Sequence, residues 1–213
     1  MTRILLVRHG ESESNILGTF TGQLDAPLSE LGHAQAEYTA RFVLENYRVD
    51  AVYSSDLSRA YHTAVHTAEK LGLQVQMDKR LREIHGGQWQ DILFSELSST
   101  HPAEYALWQQ DMGNACCPGG ESVAELAQRV WQCVMDICQN NPERTVLIAT
   151  HATPIRTVQW KATGKDLSFM KQIPWVSNAS VSEFSYENGA LTPVKLSQDS
   201  HLADMKTNLP SSI

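Results

Sequence analysis

Four apolar residues in a row, Ile4-Leu5-Leu6-Val7, run straight into Arg8-His9, and Val146-Leu147-Ile148-Ala149 runs into Thr150-His151 in the same way. An apolar run this short, stopped by a polar cluster, reads as a strand buried on both faces. Between these runs the apolar spacing turns helical. Leu31, Ala34, Ala36, Tyr38, Phe42, Val43 and Leu44 fit a 3.6-residue period from Ser29 to about Asn46. A second strand is predicted over 50–54 and a third over 74–77. The helix between them is expected to take Asp56 as its N-cap and to end at Gly72. Ser122-Val123-Ala124-Glu125 has the pattern of a capping box, which opens a long helix to about residue 139. A further helix is expected over 154–163, then a hairpin of 179–186 with 191–196 around Glu187-Asn188-Gly189. Residues 8–28 show no period and read as a loop.

Strands alternating with helices imply a three-layer α/β/α fold with a mostly parallel central sheet. At 213 residues the chain fits a single domain, 1–213. Residues 85–120, rich in Gly, Ser and Pro around two short helical stretches, read as a small lid insertion. The polar end of the chain reads as a loose tail from about residue 200.

Composition removes several classes of function. A hydrophobic share of 42% is too high for a disordered chain. A net charge of −7 argues against nucleic-acid partners, which need many cations facing phosphates. No apolar run approaches the roughly 20 residues of a membrane span, and the first residues are too short for a secretory signal. The expected location is the cytoplasm. Cys116, Cys117, Cys133 and Cys138 form no C-x-x-C pair and read as reduced thiols, although the adjacent Cys116-Cys117 invites a redox or metal reading.

In an open α/β sheet, ligands bind beyond the carboxyl ends of the strands. Polar residues gather at those ends here: Arg8-His9 after the first strand, Ser54-Ser55 after the second and His151 after the late one. Arg59 sits one turn into the next helix, and Arg82-Glu83 follows the third strand region. Arginine forks match phosphate oxygens and stay charged at physiological pH, so this rim reads as a phosphate site. Taken singly, the bland alternatives hold: His9 as a structural histidine, Glu83 as a surface partner of Arg82. His62 and His66, four apart, share a helical face as a metal-binding pair would, but no third ligand is evident, so no metal site is expected. His85, two residues after Glu83, is a candidate lining residue.

The chain resembles the phosphoglycerate-mutase-like branch of the histidine phosphatase superfamily. The resemblance rests on Leu6-Val7-Arg8-His9-Gly10-Glu11-Ser12 with Asn15, on Phe20-Thr21-Gly22-Gln23-Leu24-Asp25-Ala26-Pro27-Leu28-Ser29, and on Tyr53-Ser54-Ser55-Asp56-Leu57-Ser58-Arg59-Ala60. Leu81-Arg82-Glu83-Ile84, Pro118-Gly119-Gly120-Glu121-Ser122 and His151 with Ile155-Arg156 extend it. It implies a phosphohistidine mechanism with His9 as nucleophile and no cofactor. Arg8, Arg59 and His151, with Asn15, Thr21 and Gly22, would hold the phosphoryl oxygens. Glu83 would protonate the leaving group. An ordinary glutamic acid is ionised at pH 7, so that role requires burial or a neighbouring phosphate charge. One departure stands out: family members often carry Glu-Gly after the Trp89 position, where this chain has Gln90-Asp91.

The resemblance covers both mutases and phosphatases. Glycolytic mutases draw extra basic residues from the lid to hold a carboxylate and a second phosphate. Residues 85–120 contain no Lys or Arg, but do contain Asp91, Glu96, Glu104, Asp111, Trp89, Phe94, Tyr105 and Trp108. The expected activity is therefore metal-independent hydrolysis of a small phosphate ester. A phosphoglycerate mutase is the alternative with the same chemistry, and a non-catalytic phospho-ligand-binding protein is a third reading. Nothing in the pattern indicates an oligomeric state.

Overall fold

The structure, a computed structural model, describes residues 1–207. Six strands form one sheet: β1 (Thr2–Arg8), β2 (Ala51–Ser54), β3 (Val75–Met77), β4 (Thr145–Thr150), β5 (Val181–Glu187) and β6 (Ala190–Gln198), in the order β3-β2-β4-β1-β5-β6. The first four run parallel; β5 pairs antiparallel with β1, and β6 with β5. The expected three-layer α/β/α class is what the chain adopts.

Alternation along β1 explains the layers. Ile4 and Leu6 point into a core with Val146 and Ile148 of β4. Leu5 and Val7 point to the other face with Leu147 and Ala149. All of these are at most 1% exposed, so both faces of the central pair need covering. Helices α2 (Glu30–Asn46) and α3 (Ser58–Leu71) supply Val43, Ala64 and Ala68 on one side. Helices α6 (Val123–Asn140) and α7 (Ala152–Lys161) supply Val130, Val134, Ile137, Ile155 and Val158 on the other. Burying one such aliphatic side chain contributes about 1.5–3 kcal/mol.

The helix starts show which local signals act. Ser29 accepts the Gly32 N–H at 3.0 Å and caps α2. Ser122 and Glu125 form the reciprocal capping box of α6. Asp56, expected to cap α3, does not: the N-cap is Leu57, with no side-chain bond. The Asp56 carboxylate instead takes the Arg82 guanidinium through two 2.6 Å bonds. A bidentate, charge-assisted pair outweighs a single cap bond.

Residues 85–120 fold as short pieces between β3 and α6. They include α4 (Phe94–Thr100) and α5 (Pro102–Gln110), with 3-10 turns at Gly87–Trp89 and Met112–Asn114. Trp89 is fully buried, edge-on to Phe20, Tyr105 and Trp108. The Gln90-Asp91 departure is compatible with this geometry. Asp91 sits at φ 69°, a left-handed conformation that the expected glycine adopts freely and aspartate tolerates. The Gln90 side-chain oxygen accepts the N–H groups of Gln23 and Gly86 at 3.0 and 3.2 Å.

Two parts of the chain differ from expectation. Within 8–28 a short helix, α1 (Glu13–Leu17), forms behind a Ser12–Asn15 capping box, with no buried residue to announce it. Residues 200–207 are not loose. Leu202 is fully buried, His201 stacks on Phe42 at 4.6 Å, and Gln35 donates to the Met205 carbonyl at 2.7 Å. Residues 208–213, the rest of the expected tail, lie outside the described residues.

The β1–α1 loop approaches the start of α2 backbone to backbone. A Cβ on Gly32 would stand 1.9 Å from the Glu11 carbonyl oxygen, and one on Gly10 2.3 Å from the Gly32 oxygen. No side chain can move aside there. Gly32→Ala is expected to destabilise the protein by about 1–3 kcal/mol or more, read as a lowered urea midpoint at unchanged m-value; an unchanged midpoint would show that the loop is not held against α2.

Candidate active site

Parallel pairing of β1 with β4 sets Arg8 opposite Thr150, so the chain leaves both strands at the same level. His9 and His151 follow side by side. The His9 N–H donates to the Thr150 carbonyl at 2.9 Å, and the two rings meet edge-on with centroids 5.2 Å apart. Arg8, His9, Asn15, Thr21, Gly22, Arg59 and Glu83 line one cavity at this rim. His151 lies against it through the His9 ring. Every site residue expected from the sequence is therefore brought together. His85 is not: it lines a separate open groove with Arg80, Glu121 and Arg129.

His9 is held in a defined tautomer. Its Nδ1 lies 2.6 Å from the Gly10 carbonyl, which can only accept, so Nδ1 carries the proton and Nε2 keeps its lone pair. Burial, and then the Arg59 and Arg8 charges, hold its pKa well below the usual 6.5. The backbone behind it is fixed by Asn178, whose side-chain N–H groups donate to the His9 carbonyl and to Asn15 Oδ1, each at 3.1 Å.

The two arginines are buried cations. Arg8 is 5% exposed and donates to the Val176 carbonyl at 2.6 Å. Arg59 is 1% exposed and donates to the Leu24 and Gly22 carbonyls at 2.8 and 2.9 Å. Neither forms a salt bridge among the described residues. Burial lowers both pKa values to about 10, with Glu83 acting in the opposite direction. Arg8 Nε and His151 Nδ1 are buried polar atoms with no hydrogen-bond partner among the described residues. His151 Nε2 lies 2.9 Å from Ser55 Oγ, and burial followed by the Arg59 charge lowers its pKa well below the usual value. A site that removes two guanidiniums from water and gives them no carboxylate partner is arranged for an incoming anion.

Glu83 is not a partner of Arg82, which is committed to Asp56. Its carboxylate accepts the Ile84 N–H at 2.8 Å and the Thr153 N–H, at the start of α7, at 3.3 Å. Arg129 on α6 supports this segment from behind. It donates to the carbonyls of Arg80, Arg82 and Glu83 at 2.7–2.9 Å while pairing with Glu121 at 2.6 Å. Sequence reasoning missed Arg129, because its targets are backbone atoms that carry no side-chain signature. It also missed Trp175 and Thr153 in the lining. Arg156 stacks on Trp175 at 4.3 Å and donates to the Ile173 carbonyl and to Met112 Sδ, so it ties the wall to the insertion.

Residues 4–199 match the histidine phosphatase superfamily (branch 1). The chain belongs to that superfamily. It is 33% identical over 204 residues to phosphoserine phosphatase 1 of Hydrogenobacter thermophilus, covering 96% of each chain. It is 33% identical over 191 residues to glucosyl-3-phosphoglycerate phosphatase of Mycobacterium tuberculosis, covering 86% of this chain and 85% of that one. Among solved structures it superposes on Bacillus stearothermophilus YhfR with a TM-score of 0.90 at 27% identity, over 95% of this chain and 100% of that one. The chain is thus a phosphoryl hydrolase of the histidine phosphatase superfamily.

The buried neutral histidines link the site to stability. The unfolded chain protonates both below its ordinary pKa of about 6.5, whereas the folded chain resists. Their contribution is therefore present above pH 6.5 and lost as pH falls below it, by up to about 2 kcal/mol per histidine between pH 7 and pH 5. Urea unfolding at both pH values is expected to show a smaller loss in His9→Asn than in the natural chain. Equal losses would contradict a neutral, buried His9.

Proposed function

We propose that the chain hydrolyses phosphomonoesters by passing the phosphoryl group through His9. The carrying observation is the neutral His9, its Nδ1–H on the Gly10 carbonyl, beside two buried guanidiniums that have no carboxylate partner among the described residues. His9 Nε2 attacks phosphorus in line, and the P–O bond to the leaving group breaks as the P–N bond forms. Arg8, Arg59 and His151 hold the equatorial oxygens, with Asn15, Thr21 and Gly22 closing the cradle. Glu83 gives a proton to the departing oxygen. Its carboxylate then takes a proton from water, which attacks phosphorus and releases phosphate from His9. The fixed guanidinium charges supply the stabilisation that a metal gives elsewhere, which supports metal-independent turnover.

Hydrolysis is favoured over mutase activity by the rest of the lining. Beyond the cradle stand Phe20, Ile84, Phe94, Trp108 and Trp175, and among the described lining residues the cations are Arg8 and Arg59. Both are committed to the phosphoryl group, so a second phosphate on the substrate would lack a counter-charge. Residues 85–120, which supply Phe94 and Trp108, act in this reading as the lid of one domain. The four cysteines are free, and this supports a reducing, cytoplasmic setting. No helix among the described residues is long and apolar enough to cross a membrane.

The test is hydrolysis of aryl and alkyl phosphates with chelator present. Activity is expected to survive chelation and to fall at least about 10³-fold in His9→Ala; loss on chelation, or activity retained in the variant, contradicts the mechanism. Glu83→Gln is expected to slow an alkyl phosphate about 10²-fold or more, and an aryl phosphate much less, because a good leaving group needs little protonation. Equal slowing of both would remove the acid role from Glu83.

A further inference from the structure

Glu83 sits where no regular structure holds it. Residues 82–86 form neither helix nor strand, so no ladder or helical bonds fix the backbone that carries the carboxylate. A group that must meet a leaving oxygen needs its own support. Arg129, on α6, lines the open groove behind this loop and not the catalytic cavity. On the reading above, in which Glu83 is the acid, we propose that Arg129 and Glu121 are a positioning pair for leaving-group protonation. They act on the reaction only through the placement of Glu83.

Every donor of the Arg129 guanidinium is spent on this frame. Its Nη1 donates to the Arg80 and Arg82 carbonyls at 2.9 and 2.7 Å, and its Nη2 to the Glu83 carbonyl at 2.8 Å. Nη2 and Nε donate to the Glu121 carboxylate at 2.8 and 2.6 Å. A guanidinium has five N–H groups, so none is left for a substrate. Arg8 and Arg59 differ, because both line the catalytic cavity and Arg8 keeps an unpartnered Nε.

Glu121 is used as fully. Its Oε1 takes Arg129 Nε, and its Oε2 takes both Arg129 Nη2 and the His85 N–H, the last at 3.1 Å. The Glu121 N–H returns to the His85 carbonyl at 2.9 Å, and the Gln88 N–H donates to the Pro118 carbonyl at 2.8 Å. A Cβ on Gly120 would strike the His85 carbonyl oxygen, so the 118–121 turn lies flat against the loop. The loop is thus pinned at Arg80, Arg82, Glu83, His85 and Gln88, on both sides of the carboxylate. The carboxylate itself accepts the neighbouring Ile84 N–H at 2.8 Å and the Thr153 N–H of α7 at 3.3 Å, so the loop has the firmer hold on it. Arg129→Lys keeps the charge, but one ammonium cannot reach acceptors spread over three carbonyls and a carboxylate. Glu121→Gln puts an amide N–H where both oxygens now face donors.

The test compares kcat and KM for propyl phosphate and nitrophenyl phosphate, with folding of each variant checked by circular dichroism. In Arg129→Lys, kcat for the alkyl ester is expected to fall about tenfold or more, with KM changed less than about threefold and the aryl ester slowed much less. Glu121→Gln is expected to give the same pattern at smaller size, and it carries the test if Arg129→Lys does not fold. In a Glu83→Gln background, Arg129→Lys is expected to cost less than about threefold, because the group it positions is gone. A role in stability alone would slow both esters alike and add in full to Glu83→Gln. Equal slowing of both esters in the folded variants, an unchanged alkyl kcat, or full additivity with Glu83→Gln overturns the assignment. If Glu83→Gln alone slows both esters equally, the acid reading falls and the positioning role with it. If Glu83→Gln discriminates and neither Arg129→Lys nor Glu121→Gln does, only the positioning role falls.

Discussion

The register of β1 on β4 is the constraint from which the site follows. Arg8 opposite Thr150 means that the next residue on each strand, His9 and His151, emerges at the same rim. A slip of one residue would turn β1 inside out against β4, exchanging Ile4 and Leu6 for Leu5 and Val7 between the two cores. The same apolar runs that make the sheet thus fix the separation of the two imidazoles, and the catalytic geometry rests on hydrophobic burial.

Around that pair the protein concentrates positive charge where water is scarce. Arg8 and Arg59 are held by backbone carbonyls, which orient a guanidinium without neutralising it. The arrangement keeps His9 uncharged and leaves Arg8 Nε and His151 Nδ1 without partners among the described residues. In the proposed reaction a phosphoryl group supplies the negative charge that the two arginines lack. The segment bearing Glu83 is held by Arg129 through three carbonyls, so the Glu83 carboxylate is positioned by the backbone behind it.

What the sequence made legible is what depends on near neighbours. Strand runs ending in Arg8-His9 and Thr150-His151, the helical period that starts near Ser29 and the Ser122–Glu125 box are all local, and all are found in the structure. What it hid depends on partners far along the chain. Asp56 looks like a cap until Arg82 arrives from another segment to claim it. Residues 200–207 look like a polar tail, because one Leu202 and a few backbone acceptors for Gln35 make no pattern. Arg156 binds a sulfur, a carbonyl and an indole face, and none of these announces itself in a linear reading.

The covalent role of His9 is the central claim. Its most direct measurement is acid-labile, base-stable phosphorylation during turnover, located by peptide mapping after a rapid alkaline quench of the natural chain with substrate. The account predicts one phosphoryl group per chain, on the peptide bearing His9, and none in His9→Ala. Phosphate released in steady turnover with no labelled histidine at any quench time, or label on a different residue, would contradict it.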